Sequence, residues 1–170
     1  IMSSPRIGDE ACIKRVARYL RYCPRVVQTF RWQVDEYMPF HVLTDSDWAG
    51  DRIERTSTSG GNMSIGSHMI KSWASTQKNI ALSSAEAELY ALVRGVCQTK
   101  GLISLMKDFG YEFKATACSD ASAAIGIAYR QGLGKVRHVD VQYLWIQSEI
   151  AQGKVDLWKI GTKENPADLM

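Results

Sequence analysis

Nowhere in the chain does an uninterrupted apolar run approach the roughly 20 residues that a membrane-crossing helix needs. The first residues do not have the form of a secretory leader either. Cysteine is sparse. Of the four, Cys12, Cys23, Cys97 and Cys118, none forms a C-x-x-C pair, and the three histidines supply no zinc-ligand spacing. Cys97 and Cys118 stand in apolar surroundings and are expected to be reduced core residues. Internal repeats and low-complexity tracts are missing. Together these features lead to the expectation of a soluble intracellular protein without a zinc module.

What is present fits a globular fold. The 170 residues are 45% hydrophobic and 23% charged, enough for one domain with an extension. The formal net charge of +3 permits an anionic partner, but an ordinary solvated surface accounts for it equally well.

Residues 1–33 differ from the rest. Asp9 to Tyr22 has the pattern of a basic amphipathic helix. Ile13, Val16, Ala17 and Leu20 recur at helical spacing, with Lys14, Arg15, Arg18 and Arg21 between them. Pro24 ends it. From His41 onward strands and helices are mixed. Val42-Leu43-Thr44 reads as a short strand running into acidic residues. Thr58–Ser67 and Met69–Ser75 read as two more, joined at Gly66-Ser67-His68. A long helix is expected from about Ala85 to Phe109, with Leu89, Leu92, Val93, Val96 and Ile103 as its apolar stripe and Gly110 as its stop. Lys114–Cys118 is a fourth strand and Ala121–Tyr129 a second helix. A loop follows at Gly132-Leu133-Gly134. Val141–Ala151 is a third helix, with Asp140 as its expected N-cap, and Val155–Ile160 a fifth strand. Asn165 and Pro166 open a last helix, as cap and first position, which the end of the chain cuts off. The pattern is that of a mixed α/β domain.

Four acidic residues fall where strands end or helices begin: Asp45 in TDSDWAGD, Glu88 in SSAEAELYAL, Asp120 in ATACSDASAAI and Asp168 in KENPADLM. Carboxylates so placed can converge on one point. Metal-assisted phosphodiester hydrolysis is the chemistry that uses such a cluster, because hard Mg²⁺ ions take oxygen ligands and a pair of them can act on both the attacking and leaving oxygens. Acids at helix starts also favour the helix dipole with no catalytic role, so position alone leaves both readings open.

Several long motifs occur in one order: KRVARYLR, TDSDWAGDRIERTSTSG, KSWASTQKNIALSSAEAELYAL, CSDASAAI, RHVDVQYLWI and ENPADLM. In this the chain resembles the ribonuclease H domain of copia-type (LTR) retrotransposon polyproteins, which follows the reverse transcriptase. The resemblance covers nearly the whole chain. It implies a ribonuclease H-like α/β fold, with a five-stranded mixed sheet ordered 3-2-1-4-5, strand 2 antiparallel, and helices alongside. Residues 1–33 would be the helical connection from the upstream reverse transcriptase, and 34–170 the nuclease domain.

The resemblance further implies an endonuclease that hydrolyses the RNA strand of RNA/DNA hybrids during reverse transcription, in the cytoplasm, in retrotransposon particles. Asp45, Glu88, Asp120 and Asp168 carry over as the catalytic and metal-binding set for two Mg²⁺ ions, with Mn²⁺ able to substitute. The partners implied are the hybrid and the reverse transcriptase of the same polyprotein, with no membrane. The alternative is a degenerate or domesticated module that binds hybrid or protein without cutting; retention of all four acids weighs against it.

Two neighbours compete with this set. Asp47 lies two residues from Asp45 on one face of a strand; the resemblance favours Asp45. Glu86 competes with Glu88, but Ser83-Ser84-Ala85-Glu86 has the form of a capping box, in which Glu86 folds back onto the Ser83 amide and leaves Glu88 free. Arg52, Arg55, Thr56, Ser57 and Asn62, on the connection from strand 1 to strand 2, suit phosphates and 2′-hydroxyls. His138, where the resemblance also places a histidine, either orders its loop or touches substrate. Trp48 packs by the acidic site or meets a sugar. The loop Gly161-Thr162-Lys163-Glu164 lacks the histidine that many ribonucleases H carry before the last aspartate.

Overall fold

The computed structural model describes residues 7–33, 39–134 and 138–169. The chain divides into two compact units, residues 1–33 and 34–170. The first carries helix α1, Ile7–Tyr22. Asp9 and Glu10 stand in its first turn, where they complement the dipole, and Glu10 pairs with Lys14 one turn on at 2.7 Å. Ile13, Val16 and Leu20 form its apolar stripe, as the periodicity predicts, and all three are exposed.

The second unit is built on a five-stranded sheet, β1 Phe40–Asp47, β2 Thr58–Ile65, β3 His68–Thr76, β4 Ala115–Ser119 and β5 Val155–Lys159. Its order is β3-β2-β1-β4-β5. Strand β2 runs antiparallel to β1 and β3, whereas β1, β4 and β5 are parallel. The expected order and directions therefore hold. Strand β1 is longer than the expected Val42–Thr44 and extends through Asp47. Its apolar residues cover only the first half, and the acidic second half is kept in the sheet by pairing with β2 as far as Asp47↔Thr58.

Three helices complete the unit: α2 Ser84–Asp108, α3 Ser122–Tyr129 and α4 Val141–Ala151. Helix α2 lies across the sheet. Leu89, Leu92, Val93 and Val96 bury against Phe40, Val42, Met63, Ala115, Ala117, Val155 and Leu157. Gly95 permits the close approach: a Cβ there would stand 2.5 Å from Thr44 Cγ2 and 3.2 Å from Val42 Cγ2. Gly110, with φ of 85°, carries the chain out of the helix in a conformation that costs glycine little. Ile146 of α4 is fully buried, and the Tyr143 ring lies 4.0 Å from that of Tyr90.

The last residues form a short 3₁₀ helix, Pro166–Leu169. Asn165 Oδ1 accepts a hydrogen bond from Ala167 N–H, the expected capping contact, and its Nδ2 donates to the Thr44 carbonyl on β1. One buried amide thus ties the end of the chain to the strand that carries Asp45.

Three local expectations are corrected. Asp140 makes no side-chain capping bond to α4; it accepts instead from Asn79 at 3.1 Å. Cys97 is exposed on α2, and of the four cysteines only Cys118 is buried, with its thiol pushed up to about 11 by that burial. Glu86 does not bond the Ser83 amide. Ser83 Oγ accepts from Glu86 N–H, so half of the capping box forms, but the Glu86 carboxylate accepts from the Leu82 amide, one residue earlier.

Candidate metal centre

The parallel pairing of β1 with β4 brings two strand ends together, and the start of α2 lies beside them. Asp45 comes from β1, Asp120 directly follows β4, and Glu88 stands in the second turn of α2. Each of these three offers a carboxylate oxygen, and the three oxygens lie within 4.8 Å of one another.

Ser46 fixes Glu88 in the cluster. Its backbone N–H and its hydroxyl both donate to Glu88 Oε1, each at 3.1 Å. Glu88 Oε2 is buried with no hydrogen-bond partner. A buried acceptor without a donor is costly unless a water or an ion satisfies it. Burial, then the charges of Asp45 and Asp120, push the Glu88 carboxyl up to about 7, against the pull of the two Ser46 bonds. Asp45 is also raised, by burial first and then by Asp168, Asp120 and Asp47, with Ser46 N–H pulling the other way. This is the behaviour of clustered acids whose charge is not neutralised.

The donor set fits a hard divalent cation. It is all oxygen, it is short of positive charge, and one oxygen is held ready with no other partner. Asp168 stands apart from the other three. It is exposed in the terminal 3₁₀ helix and lies outside the 4.8 Å group, yet close enough for its charge to raise Asp45.

The two rival acids are held elsewhere. Asp47 Oδ1 accepts from the Thr58 amide, and its side chain fills the space beside Gly50. Glu86 is buried and accepts from the Tyr90 hydroxyl, the Leu82 amide and, at 2.9 Å, His138 Nε2. His138 thus ties the loop before α4 to the start of α2. Trp48 is half exposed, with its indole N–H donated to the Ala81 carbonyl.

The basic and hydroxyl residues of the β1–β2 connection are mixed in placement. Arg52 and Arg55 are exposed and Thr56 is half-buried. Ser57 is 0% exposed, and its Oγ accepts from the Ala49 amide, so its hydroxyl braces the loop from within; as a substrate contact it is corrected. Asn62 sits half-buried within β2, between Leu43 and Ser72. Sequence reasoning missed Ser46 altogether, because a serine between two aspartates carries no pattern. It found Asn165 as a cap but not as a tie to β1.

The fold is that of ribonuclease H. The chain aligns with the solved LC11-RNase H1 isolated from compost at a TM-score of 0.53 and 16% identity, over 77% of this chain and 91% of that one. It aligns with the N-terminal RNase H domain of rv2228c from Mycobacterium tuberculosis at 0.54 and 16%, over 78% and 90%. LC11-RNase H1 in complex with an RNA/DNA hybrid gives 0.51 and 12%, over 76% and 91%.

The sequence relatives are retrovirus-related Pol polyproteins of plant transposons, and the chain is their homologue. It is 26% identical to that of transposon RE1 from Arabidopsis thaliana over 173 residues, 99% of this chain and 12% of the relative. It is 30% identical to that of transposon TNT 1-94 from Nicotiana tabacum over 129 residues, 75% of this chain and 10% of the relative. The chain therefore spans about a tenth of the length of the curated relatives it matches. No family model matches it.

Proposed function

We propose that this chain is a metal-dependent endonuclease that hydrolyses the RNA strand of RNA/DNA hybrids, as the ribonuclease H part of a copia-type retrotransposon polyprotein. The observation that carries the reading is the convergence of the Asp45, Glu88 and Asp120 carboxylates, whose oxygens lie within 4.8 Å of one another. The fold and the polyprotein relatives support it.

Asp45, Glu88 and Asp120 would hold Mg²⁺, with Asp168 joining from the terminal 3₁₀ helix. When bound, two such ions supply an activated water and stabilise the leaving oxygen, giving a 5′-phosphate and a 3′-hydroxyl. The protein's part is placement. Ser46 holds one Glu88 oxygen with two hydrogen bonds and so fixes the carboxylate in the cluster. Asn165 ties the segment that carries Asp168 to β1. Arg52, Arg55 and Thr56 offer cations and a hydroxyl for backbone phosphates and 2′-hydroxyls. In this reading the partners are the hybrid and the reverse transcriptase upstream, and no helix among the described residues is long and apolar enough to cross a membrane.

The test is cleavage of end-labelled RNA in Mg²⁺ and in Mn²⁺. The chain should cut RNA paired with DNA and leave duplex DNA intact, and Glu88→Gln should abolish the cut. Intact hybrid with either ion would remove the reading.

A further inference from the structure

The end of the second unit away from the carboxylates is apolar and open. Helix α2 has 25 residues, but its buried residues all lie between Glu86 and Thr99. The last turns run on past them, with Leu102 half-buried, Leu105 exposed, and Phe109 exposed at the cap. Between these turns and β3 lies a groove of about 460 Å³, bordered by Met63, Ile70, Gly101, Leu102 and Leu105. Strand β3 is an edge of the sheet, and a register shift between Met63 and Ser64 bulges it at Ile70, which is also exposed. Phe109 stands one turn on from Leu105. The Tyr111 amide folds back to the Met106 carbonyl at 3.0 Å, and the exposed Tyr111 ring extends the apolar surface.

Of the residues that line the groove only Lys71 is charged, and its ammonium is held by Gln98 Oε1 at 2.6 Å. Such a groove suits a protein surface and not a nucleic-acid backbone. Gly101 points the same way. Glycine inside a helix lowers its stability relative to alanine. At Gly95 the close approach to Thr44 accounts for the glycine, but at Gly101 a Cβ would meet nothing within 4 Å. The wall of the groove thus carries a gap that no described residue fills.

The path of the chain selects the occupant. Strand β1 starts at Phe40, whose ring lies 5.8 Å from that of Phe113, and Phe113 lies 6.5 Å from Tyr111. The chain therefore enters β1 beside this surface, roughly 17 Å along the strand from Asp45. The relatives are far longer, since the chain spans only 12% and 10% of them. The side chains here expose on the order of a few hundred Å², enough to mark an interaction site. That is short of the roughly 800 Å² that each of two free proteins buries in a stable pair. A domain fused to the same chain needs less, because the tether holds it at an effective concentration near millimolar.

We propose that the groove between β3 and the last turns of α2, with Phe109 and Tyr111, is the docking surface for the reverse transcriptase part of the same polyprotein. An apolar segment of that part fills the gap at Gly101, and the carboxylates at the other end stay open. The inference rests on the polyprotein part of the proposed function and not on its nuclease part.

The test is hydrogen exchange at the backbone amides of residues 101–113, compared between this chain and a longer one that carries the reverse transcriptase part ahead of it. In the longer chain these amides should exchange roughly tenfold more slowly, while those of α3, which starts next to Asp120, stay unchanged. Leu105→Gln/Phe109→Gln should return the fast exchange. Gly101→Gln is the second variant. It puts a side chain into open space and favours the helix, so it should melt no lower, yet it should block the groove and return the fast exchange too. Equal exchange in the two chains, or slow exchange that survives either variant in folded protein, overturns the surface. Slowing that appears in this chain alone and grows with its concentration puts a second copy in the groove and overturns it as well. Hybrid cleavage enters none of these outcomes, so loss of the nuclease reading and loss of this surface are told apart.

Discussion

Glu86 and Glu88, two residues apart on α2, are driven in opposite directions. Burial raises both carboxyls. At Glu86 it is outweighed by the Tyr90 hydroxyl, His138 and the Leu82 amide, which together hold that carboxyl below its ordinary value. At Glu88 burial is joined by the charges of Asp45 and Asp120, and the carboxyl reaches about 7. One acid is satisfied as an anion by the protein. The other keeps one oxygen with no hydrogen-bond donor.

This difference predicts opposite mutant phenotypes. Glu88→Gln should leave the melting temperature unchanged or raise it, because one of several repelling carboxylates is removed, while hybrid cleavage collapses. Glu86→Ala should cost roughly 2–4 kcal/mol, since it strands a buried hydroxyl and an amide and frees His138. That exceeds the 0.5–2 kcal/mol of a lost cap, which is what the sequence pattern alone implies. Cleavage by Glu86→Ala should persist at a temperature where the variant is folded. Thermal melts beside a cleavage assay decide the matter; full activity in Glu88→Gln would identify the wrong glutamate.

The same pair shapes the response to pH. Without divalent ions, the raised Glu88 favours its protonated form in the fold. Its contribution is full below the ordinary value of 4.5 and is lost as pH rises through about 7. That interval corresponds to at most about 3 kcal/mol. Glu86 acts in the opposite sense: its contribution is present above 4.5 and is lost as pH falls through its lowered value. The ion-free protein should therefore melt at a lower temperature near pH 8 than near pH 5.5, and Mg²⁺ should remove that deficit by binding the ionised cluster. Melts in chelator that stay level across this range would contradict the assignment.

Asp45 and Asp47 should separate just as clearly. Asp45→Asn removes charge from the cluster and should abolish cleavage with little effect on folding. Asp47→Asn keeps an oxygen that can accept from Thr58, so cleavage should remain within a few-fold of the unaltered chain and the melt should fall slightly, by about 1 kcal/mol or less. Loss of cleavage in Asp47→Asn, in a folded protein with Asp45→Asn active, would reverse the choice.

Asn165→Ala tests the tie between the terminal segment and β1. It removes a buried bond to the Thr44 carbonyl and the cap of the 3₁₀ helix. The expected cost is about 1–3 kcal/mol. Because Asp168 then loses its fixed position, the Mg²⁺ concentration for half-maximal cleavage should rise several-fold. A variant that is destabilised but needs no more Mg²⁺ would show that Asp168 takes no part in holding the ion.

Much of the plan is legible in the sequence because period and punctuation agree. Leu89, Leu92, Val93 and Val96 mark α2 by spacing alone, and Gly110 marks its end. The four acids stand out by their place at element ends and by the order of the motifs around them. What escapes is set by contacts between distant segments. Ser46 reaches Glu88 only because α2 crosses the end of β1. Ser57 reads as a polar loop residue, yet the turn closes around it. Cys97 reads as core because its neighbours are apolar, but its position on α2 turns it outward. Asp140 reads as a cap because local pattern cannot see Asn79, which lies 61 residues away.

Gly95 shows how far from the cluster its dimensions are decided. The helix can lie low on β1 because no methyl group stands between it and Thr44. Seven residues earlier on the same rigid rod hangs Glu88. Alanine normally helps a helix by about 1 kcal/mol over glycine, but here it would act as a shim, lifting the rod from the sheet and widening the gap between Glu88 and Asp45. Mg²⁺ demands ligands at about 2.0–2.1 Å, whereas Ca²⁺ and Mn²⁺ tolerate a looser cage. The ratio of Mn²⁺- to Mg²⁺-supported cleavage should therefore rise in Gly95→Ala, and an unchanged ratio would refute the idea. Ion preference then becomes adjustable at a residue that touches no ion and carries no side chain.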